Sequence, residues 1–242
     1  MLHVTDVASV CAFKLDMRLE DDSIGIGSGS LLCHRNRIYI LTARHNLTGR
    51  NAFTGRAISK RQQGGAFPTE VRFHLPYETK LDGDQVGFDA QPCVLKLYSS
   101  GEPIWMVHSA DDLRHDVAVI SLSDVVAKKL IRSGVEDDTD ADFLAETEGL
   151  AASSDFVTLG SGKSLRLAAL THYVIDGFKL RVGHELFVLG FPEGISASDL
   201  PIWKRATIAS EPNATVDGLP ILLVDTATRR GMSGGPAIAR AN

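Results

Sequence analysis

Gly231-Met232-Ser233-Gly234-Gly235-Pro236 is the stretch on which the reading of this chain turns. A serine set between glycines can be turned out of the backbone toward solvent, because glycine tolerates backbone angles that a side chain forbids. Neighbouring main-chain N–H groups can then converge on one point. A converging pair of this kind holds the oxyanion of a tetrahedral intermediate in acyl transfer, and losing one donor typically costs ~10²–10³ in rate. The stretch reads as a candidate nucleophile, Ser233, with the N–H groups of Gly231 and Ser233 as candidate oxyanion donors. An isolated Ser-Gly-Gly is also an ordinary turn, so the rest of the chain decides.

Two further stretches bear on the choice. His45 follows the apolar, strand-like run Ile38-Tyr39-Ile40-Leu41-Thr42-Ala43, and Asp116 opens a second one, Val117-Ala118-Val119-Ile120-Ser121-Leu122. Histidine, aspartate and serine, in that order and each beside a strand or turn, are the parts of a charge-oriented nucleophile. The combination of Leu41-Thr42-Ala43-Arg44-His45, Asp116-Val117-Ala118-Val119 and Gly231 to Pro236 resembles chymotrypsin-fold serine proteases, in the bacterial trypsin-like branch that includes HtrA-type enzymes.

The resemblance implies an all-β protein of two six-stranded-type antiparallel barrels, the second one incomplete toward the C-terminus. It implies a serine endopeptidase that cleaves protein or peptide substrates through His45, Asp116 and Ser233, with Gly231 and Ser233 holding the oxyanion. Around the primary pocket it sets Ala227, Thr228, Arg229, Arg230 and Met232. Ala227 at the pocket base offers no acid for a lysine or arginine side chain, so a small apolar one is expected. Arg229 and Arg230 would instead draw acidic side chains, or are simply solvated.

Departures from the family pattern are equally informative. Secreted relatives carry a cysteine after the catalytic histidine, bonded to the preceding strand; here Asn46 stands there. The residue before the nucleophile is Met232 rather than an aspartate, which excludes activation by an ion pair to a new N-terminus. The strands expected after the nucleophile are absent from the sequence, which therefore reads as a piece of a longer protein, a cleavage product, or a chain completed by a partner.

Within the 242 residues, 44% are apolar, enough for a substantial core. The net charge of -5 offers no electrostatic case for nucleic acid. No apolar run reaches membrane-spanning length, and Val7 to Phe13 is too short for a secretory leader. A cytoplasmic protein without cofactor or metal is expected. Three cysteines, Cys11, Cys33 and Cys93, cannot all pair and show no zinc spacing. Cys33 beside His34 reads as a core residue, because Ser233 already fills the nucleophile's place.

Short strand signals separated by turns run along the whole chain. Ile24 to Leu32 with Arg37 to Thr42 reads as a hairpin. Residues 1–125 form the expected first barrel, 126–164 a linker with a short helix over Val125 to Ile131, and 165–242 the second barrel. Strands are expected there over Leu165 to Ile175, Leu186 to Gly190, Ile202 to Ile208 and Ile221 to Val224, with Gly190-Phe191-Pro192-Glu193-Gly194 as a turn.

Between Ser23 and Thr69 every charged residue is basic, and between Ser133 and Gly162 every one is acidic. Two solvated loops explain this; so would an acidic segment that docks by His45 and gates entry, in which case deleting Asp137 to Glu148 changes activity with a salt dependence.

Several assignments stay open. Asp111 and Asp112 compete with Asp116 for the acid, but neither starts an apolar run. Strand alternation turns His115 to the opposite face, and His172 and His184 carry no partner pattern. Gly231-Met232-Ser233-Gly234-Gly235 also fits the nucleophile elbow of an esterase, but there the acid and histidine follow the serine. A protease-like module that binds peptides without cutting them remains the second reading.

Overall fold

The computed structural model describes residues 6–35, 37–58, 67–80, 86–108, 115–122, 131–133, 156–158, 164–173 and 178–240. Most of the acidic stretch, Val125 to Leu130 of the helix expected over Val125 to Ile131, Asp111, Asp112, Lys60 and Arg61 lie outside them, while Ile131 itself begins a strand paired with Leu95.

The first half of the chain is a succession of antiparallel strands. β1 (Ala12–Leu19), β2 (Asp22–His34) and β3 (Arg37–Thr42) lead into one helix, α1 (Arg44–Thr48). β4 (Glu70–Lys80) and β5 (Val86–Lys96) form a long hairpin. β6 (Tyr98–Ser99) and β7 (Glu102–Pro103) make a small ladder of their own. β8 (Trp105–Val107), β9 (Ala118–Ser121), β10 (Ile131–Ser133), β11 (Phe156–Thr158) and β12 (Ser164–Leu167) complete the first sheet. Its strand order is β10-β5-β4-β1-β2-β3-β9-β8, with β12 paired to both β4 and β11.

Alternation explains why these segments are strands. In β1, Phe13, Leu15 and Met17 point inward; in β3, Ile38, Ile40 and Thr42 do so, as do Val71, Phe73, Leu75 and Tyr77 in β4. A period of two buries one face of each strand, and Phe13 stacks on Phe73 with ring centroids 5.3 Å apart. The expected hairpin is present as β2 and β3, in the register Gly29 to Thr42 through His34 to Arg37.

A second sheet of four strands has the order β15-β14-β13-β16, where β13 is Glu185–Gly190, β14 Ile202–Ile208, β15 Val224–Asp225 and β16 Ala237–Ala239. Its own small core is Leu186, Ala206 and Ile208. The N-terminal segment joins the two sheets: Ala8 and Ala12 pack with Leu189 beside Trp203, whose indole N–H donates to Ser9 Oγ at 2.9 Å.

The architecture is all-β and antiparallel, as the sequence implies, but the described residues close neither sheet into a barrel. The first sheet ends on β8 and β10 without joining them, and the second has β15 and β16 as its edges. Two strands also differ from expectation. Arg166 and Leu167 pair with Glu78 and Tyr77 of β4, so this strand extends the first sheet, and a 3₁₀ turn follows at Leu170–Tyr173. Of the run Ile221 to Val224 only Val224 lies in the ladder with β14; the Ile221 N–H turns back to Leu219 O, and Leu223 O accepts the Ala209 N–H just past β14.

Among the described residues no helix is long and apolar enough to cross a membrane.

Candidate active site

His45 and Asp116 meet because of how β3 and β9 pair. Thr42 lies opposite Ala118 in that antiparallel ladder. The residues just past Thr42 therefore face those just before Ala118, and the Arg44 N–H donates to Asp116 O at 3.3 Å. The chain turns into α1 at once, which swings His45 over the Asp116 carboxylate. Oδ2 lies 2.5 Å from His45 Nδ1, while Oδ1 accepts the main-chain N–H of His45 at 2.9 Å. Two partners on two oxygens fix both the carboxylate and the ring. A proton on Nδ1 leaves Nε2 as the acceptor.

Ser233 lies on the loop between β15 and β16, and its main-chain carbonyl is held by the first sheet. That oxygen accepts the N–H of Ser28 and the Nδ2 amide of Asn46, each at 2.8 Å. Ser28 is fully buried in β2; its hydroxyl donates to Gly231 O at 2.6 Å and accepts the Phe191 N–H at 3.2 Å. Thr42 Oγ1 donates to Ser28 O at 2.7 Å. Ser28, Thr42 and Asn46 thus form a buried polar web under the nucleophile loop. The sequence reading missed all three. A usable signal existed, since a serine and a threonine on the buried faces of adjoining strands need specific partners.

The glycines are forced by close approach. Gly231 has φ +91° and an added Cβ would collide with Phe191 O; Gly234 has φ +87° and its Cβ would strike Ser28 O, Thr42 Oγ1 and Ala43 N. Only glycine adopts such angles in such confinement. Arg230 O accepts the Glu193 N–H at 2.7 Å from the turn after β13. In a trans peptide the next N–H points the opposite way, so the Gly231 N–H is turned from Glu193. Neither the Gly231 nor the Ser233 N–H has an acceptor among the described residues.

His45, Gly231 and Ser233 line one open cleft of about 280 Å³ together with Ile24, Ile26 and Arg230. Ser233 Oγ makes no hydrogen bond to His45. Such contacts are often long in unliganded sites and tighten around substrate.

The expected pocket residues are not brought together. Of Ala227, Thr228, Arg229, Arg230 and Met232, only Arg230 lines the cleft. Ala227, Thr228 and Arg229 are exposed and Met232 is buried, because the chain after Asp225 runs over the surface without a strand partner. Ala227, exposed and outside the cleft, therefore forms no pocket base that would select a small apolar side chain.

The remaining candidates fall away from the cleft. His115 stacks on His108, with ring centroids 4.8 Å apart. His184 sits by Phe178, and the side chain of His172 is outside the described set. All three cysteines are free. Burial pushes the Cys93 thiol up to about 12, and burial together with the Asp6 charge does the same to Cys11; both are protonated and inert near neutrality. No group of side chains able to hold a metal occurs among the described residues.

The family model for the trypsin-like peptidase domain matches residues 27–242. Among solved structures, a serine endoprotease from Yersinia pestis is similar with TM-score 0.45 and 13% identity, the match covering 99% of this chain and 54% of the other. A protease from M. tuberculosis in its active form is similar with TM-score 0.39 and 15% identity, covering 96% of this chain and 66% of that one. The chain thus spans about half the length of the Yersinia protein. No curated protein sequence matches.

Proposed function

The chain belongs to the trypsin-like peptidase domain family, and we propose that it is a serine endopeptidase acting through His45, Asp116 and Ser233. One observation carries the proposal: His45, with both its ring and its main-chain N–H on the Asp116 carboxylate, shares a cleft with Gly231 and Ser233, whose main-chain N–H groups have no acceptor among the described residues.

The chemistry follows from the residue types. A serine hydroxyl is a weak nucleophile near neutrality, so His45 Nε2 takes the Ser233 proton as Oγ attacks the scissile carbonyl. Asp116 holds the Nδ1–H tautomer and stabilises the imidazolium that forms. The N–H groups of Gly231 and Ser233 receive the oxyanion. His45 then gives the proton to the leaving amine, and water, deprotonated by the same imidazole, releases the acyl group from Ser233.

The missing Ser233 Oγ to His45 bond favours the second reading, a peptide-binding module without turnover. The two part on one experiment. Parent, Ser233→Ala and His45→Ala proteins are incubated with a diverse peptide mixture and new termini are read by mass spectrometry. Endopeptidase action requires new termini with the parent and none with either variant. Binding of peptides without new termini would establish the module instead.

A further inference from the structure

From the contacts of one amide we infer that Asn46 is a positioning residue, which ties the helix bearing His45 to the loop bearing Ser233 and so sets the distance across which the proton moves. This rests on reading Ser233 as the nucleophile.

The chemistry at position 46 is restrictive. Asn46 is almost fully buried, at 4% exposure. Its Nδ2 group donates to Ser233 O at 2.8 Å and to Thr42 Oγ1 at 3.0 Å. The Thr42 hydroxyl has one proton, and it is committed to Ser28 O at 2.7 Å. Toward Asn46 it can therefore only accept, as a main-chain carbonyl must. Two acceptors converge on one spot, and a primary amide brings two N–H donors to it. A carboxylate of the same shape would meet both acceptors with lone pairs.

Room for this amide is provided by Gly27 of β2. A Cβ there would lie 2.6 Å from Asn46 Cγ and 2.8 Å from Oδ1, closer than real contacts allow. Glycine at 27 and asparagine at 46 thus form one arrangement.

The consequence for geometry is direct. Ser233 O spends both lone pairs, on Asn46 and on the Ser28 N–H, which fixes the peptide plane after Ser233. Met232 O accepts the Gly235 N–H at 3.1 Å, which holds the plane before it. Between two fixed planes the Cα–Cβ bond of Ser233 has one direction. Because His45 and Asn46 are consecutive in α1, the element that aims the base also holds the nucleophile loop. Misplacing a reacting group by about 1 Å costs on the order of 10²-fold in rate.

The test uses the full chain with Asn46→Ala, Asn46→Asp and, as an independent way to displace the amide, Gly27→Ala. Peptide turnover is divided by the sites that a fluorophosphonate probe can label, and the labelling rate constant is measured separately. Each variant is expected to lose about 10–100-fold in kcat and in labelling rate while KM moves less than about threefold. A fall in melting temperature with kcat per labelled site unchanged would show a structural role and overturn the inference. Hydrogen exchange of the 231–236 backbone is followed in the same proteins: about tenfold or greater acceleration in the variants is expected, and unchanged exchange there overturns the inference by itself. If the parent neither cuts peptides nor takes the probe, the catalytic reading fails, and the exchange data still decide whether Asn46 straps the loop.

Discussion

Replacing Asp116 by asparagine tests how the histidine is held, and the size of its effect follows from two hydrogen bonds. Asp116 Oδ1 accepts the His45 main-chain N–H at 2.9 Å and Oδ2 faces Nδ1 at 2.5 Å. The main-chain N–H can only donate, so the single oxygen of an asparagine is pinned to it. The new NH₂ group then faces Nδ1 and turns that nitrogen into an acceptor. The ring proton moves to Nε2, where a base for Ser233 is needed. Flipping the amide restores the tautomer but sets NH₂ against N–H, leaving a main-chain donor without its partner at a cost of about 1–3 kcal/mol. The negative charge that stabilises the imidazolium is lost in either orientation. Together these losses should lower kcat/KM by ~10⁴ at neutral pH, the loss typical of a serine-protease histidine held in the wrong tautomer. That is about 5 kcal/mol of transition-state stabilisation. The assay is hydrolysis of a fluorogenic peptide by parent and Asp116→Asn proteins of matched melting temperature. Retention of more than a tenth of the parental kcat/KM would refute the assignment and return Asp111 and Asp112 to consideration.

Other consequences can be checked with simpler measurements. Gly231→Ala forces a Cβ onto Phe191 O at φ +91°, so labelling of Ser233 should fall at least ~10²-fold through loss of an oxyanion donor; near-parental labelling would mean that the loop differs from the one described. Leu75→Ala, at a fully buried position in β4, should cost ~2–5 kcal/mol in chemical denaturation, and a loss under about 1 kcal/mol would argue against this core. The Cys11 and Cys93 thiols are held up near 12 by burial, so the folded state keeps them protonated while the unfolded state begins to ionise them near pH 9. Their stabilising contribution is complete below that pH and is lost as pH rises toward 12. Melting temperature should fall more steeply above pH 9 in the parent than in Cys93→Val, and parallel curves would contradict the burial of Cys93.

What the sequence made legible was local. The β2–β3 hairpin follows from alternating apolar residues, and His45 and Asp116 announce themselves as polar residues beside apolar strands. Their meeting needs the β3–β9 register, which strand ends alone suggest only roughly. Ser28, Thr42 and Asn46 were not legible as a unit, because Gly231, the partner of Ser28, and Ser233, the partner of Asn46, lie 203 and 187 positions away along the chain. The same limit explains the strand at Ser164–Leu167: alternation marks it as a strand, but nothing local says that its neighbour is β4 rather than a strand of the second sheet. The pocket residues implied by the resemblance are not brought together for a related reason. Which side chains line a cleft depends on how the loop leaves the sheet, and after Asp225 it leaves without a partner strand.

A Ser233 nucleophile made reactive by His45 is tested most directly by chemical labelling. Parent, Ser233→Ala and His45→Ala proteins should be treated with a fluorophosphonate and weighed intact, with the adduct mapped by peptide sequencing. A single adduct on Ser233 is expected in the parent and none with Ser233→Ala. With His45→Ala labelling should be slower by several orders of magnitude, since removing a triad member typically costs ~10⁴–10⁶ in turnover. An unlabelled parent, or an adduct that forms equally well without His45, would contradict these roles.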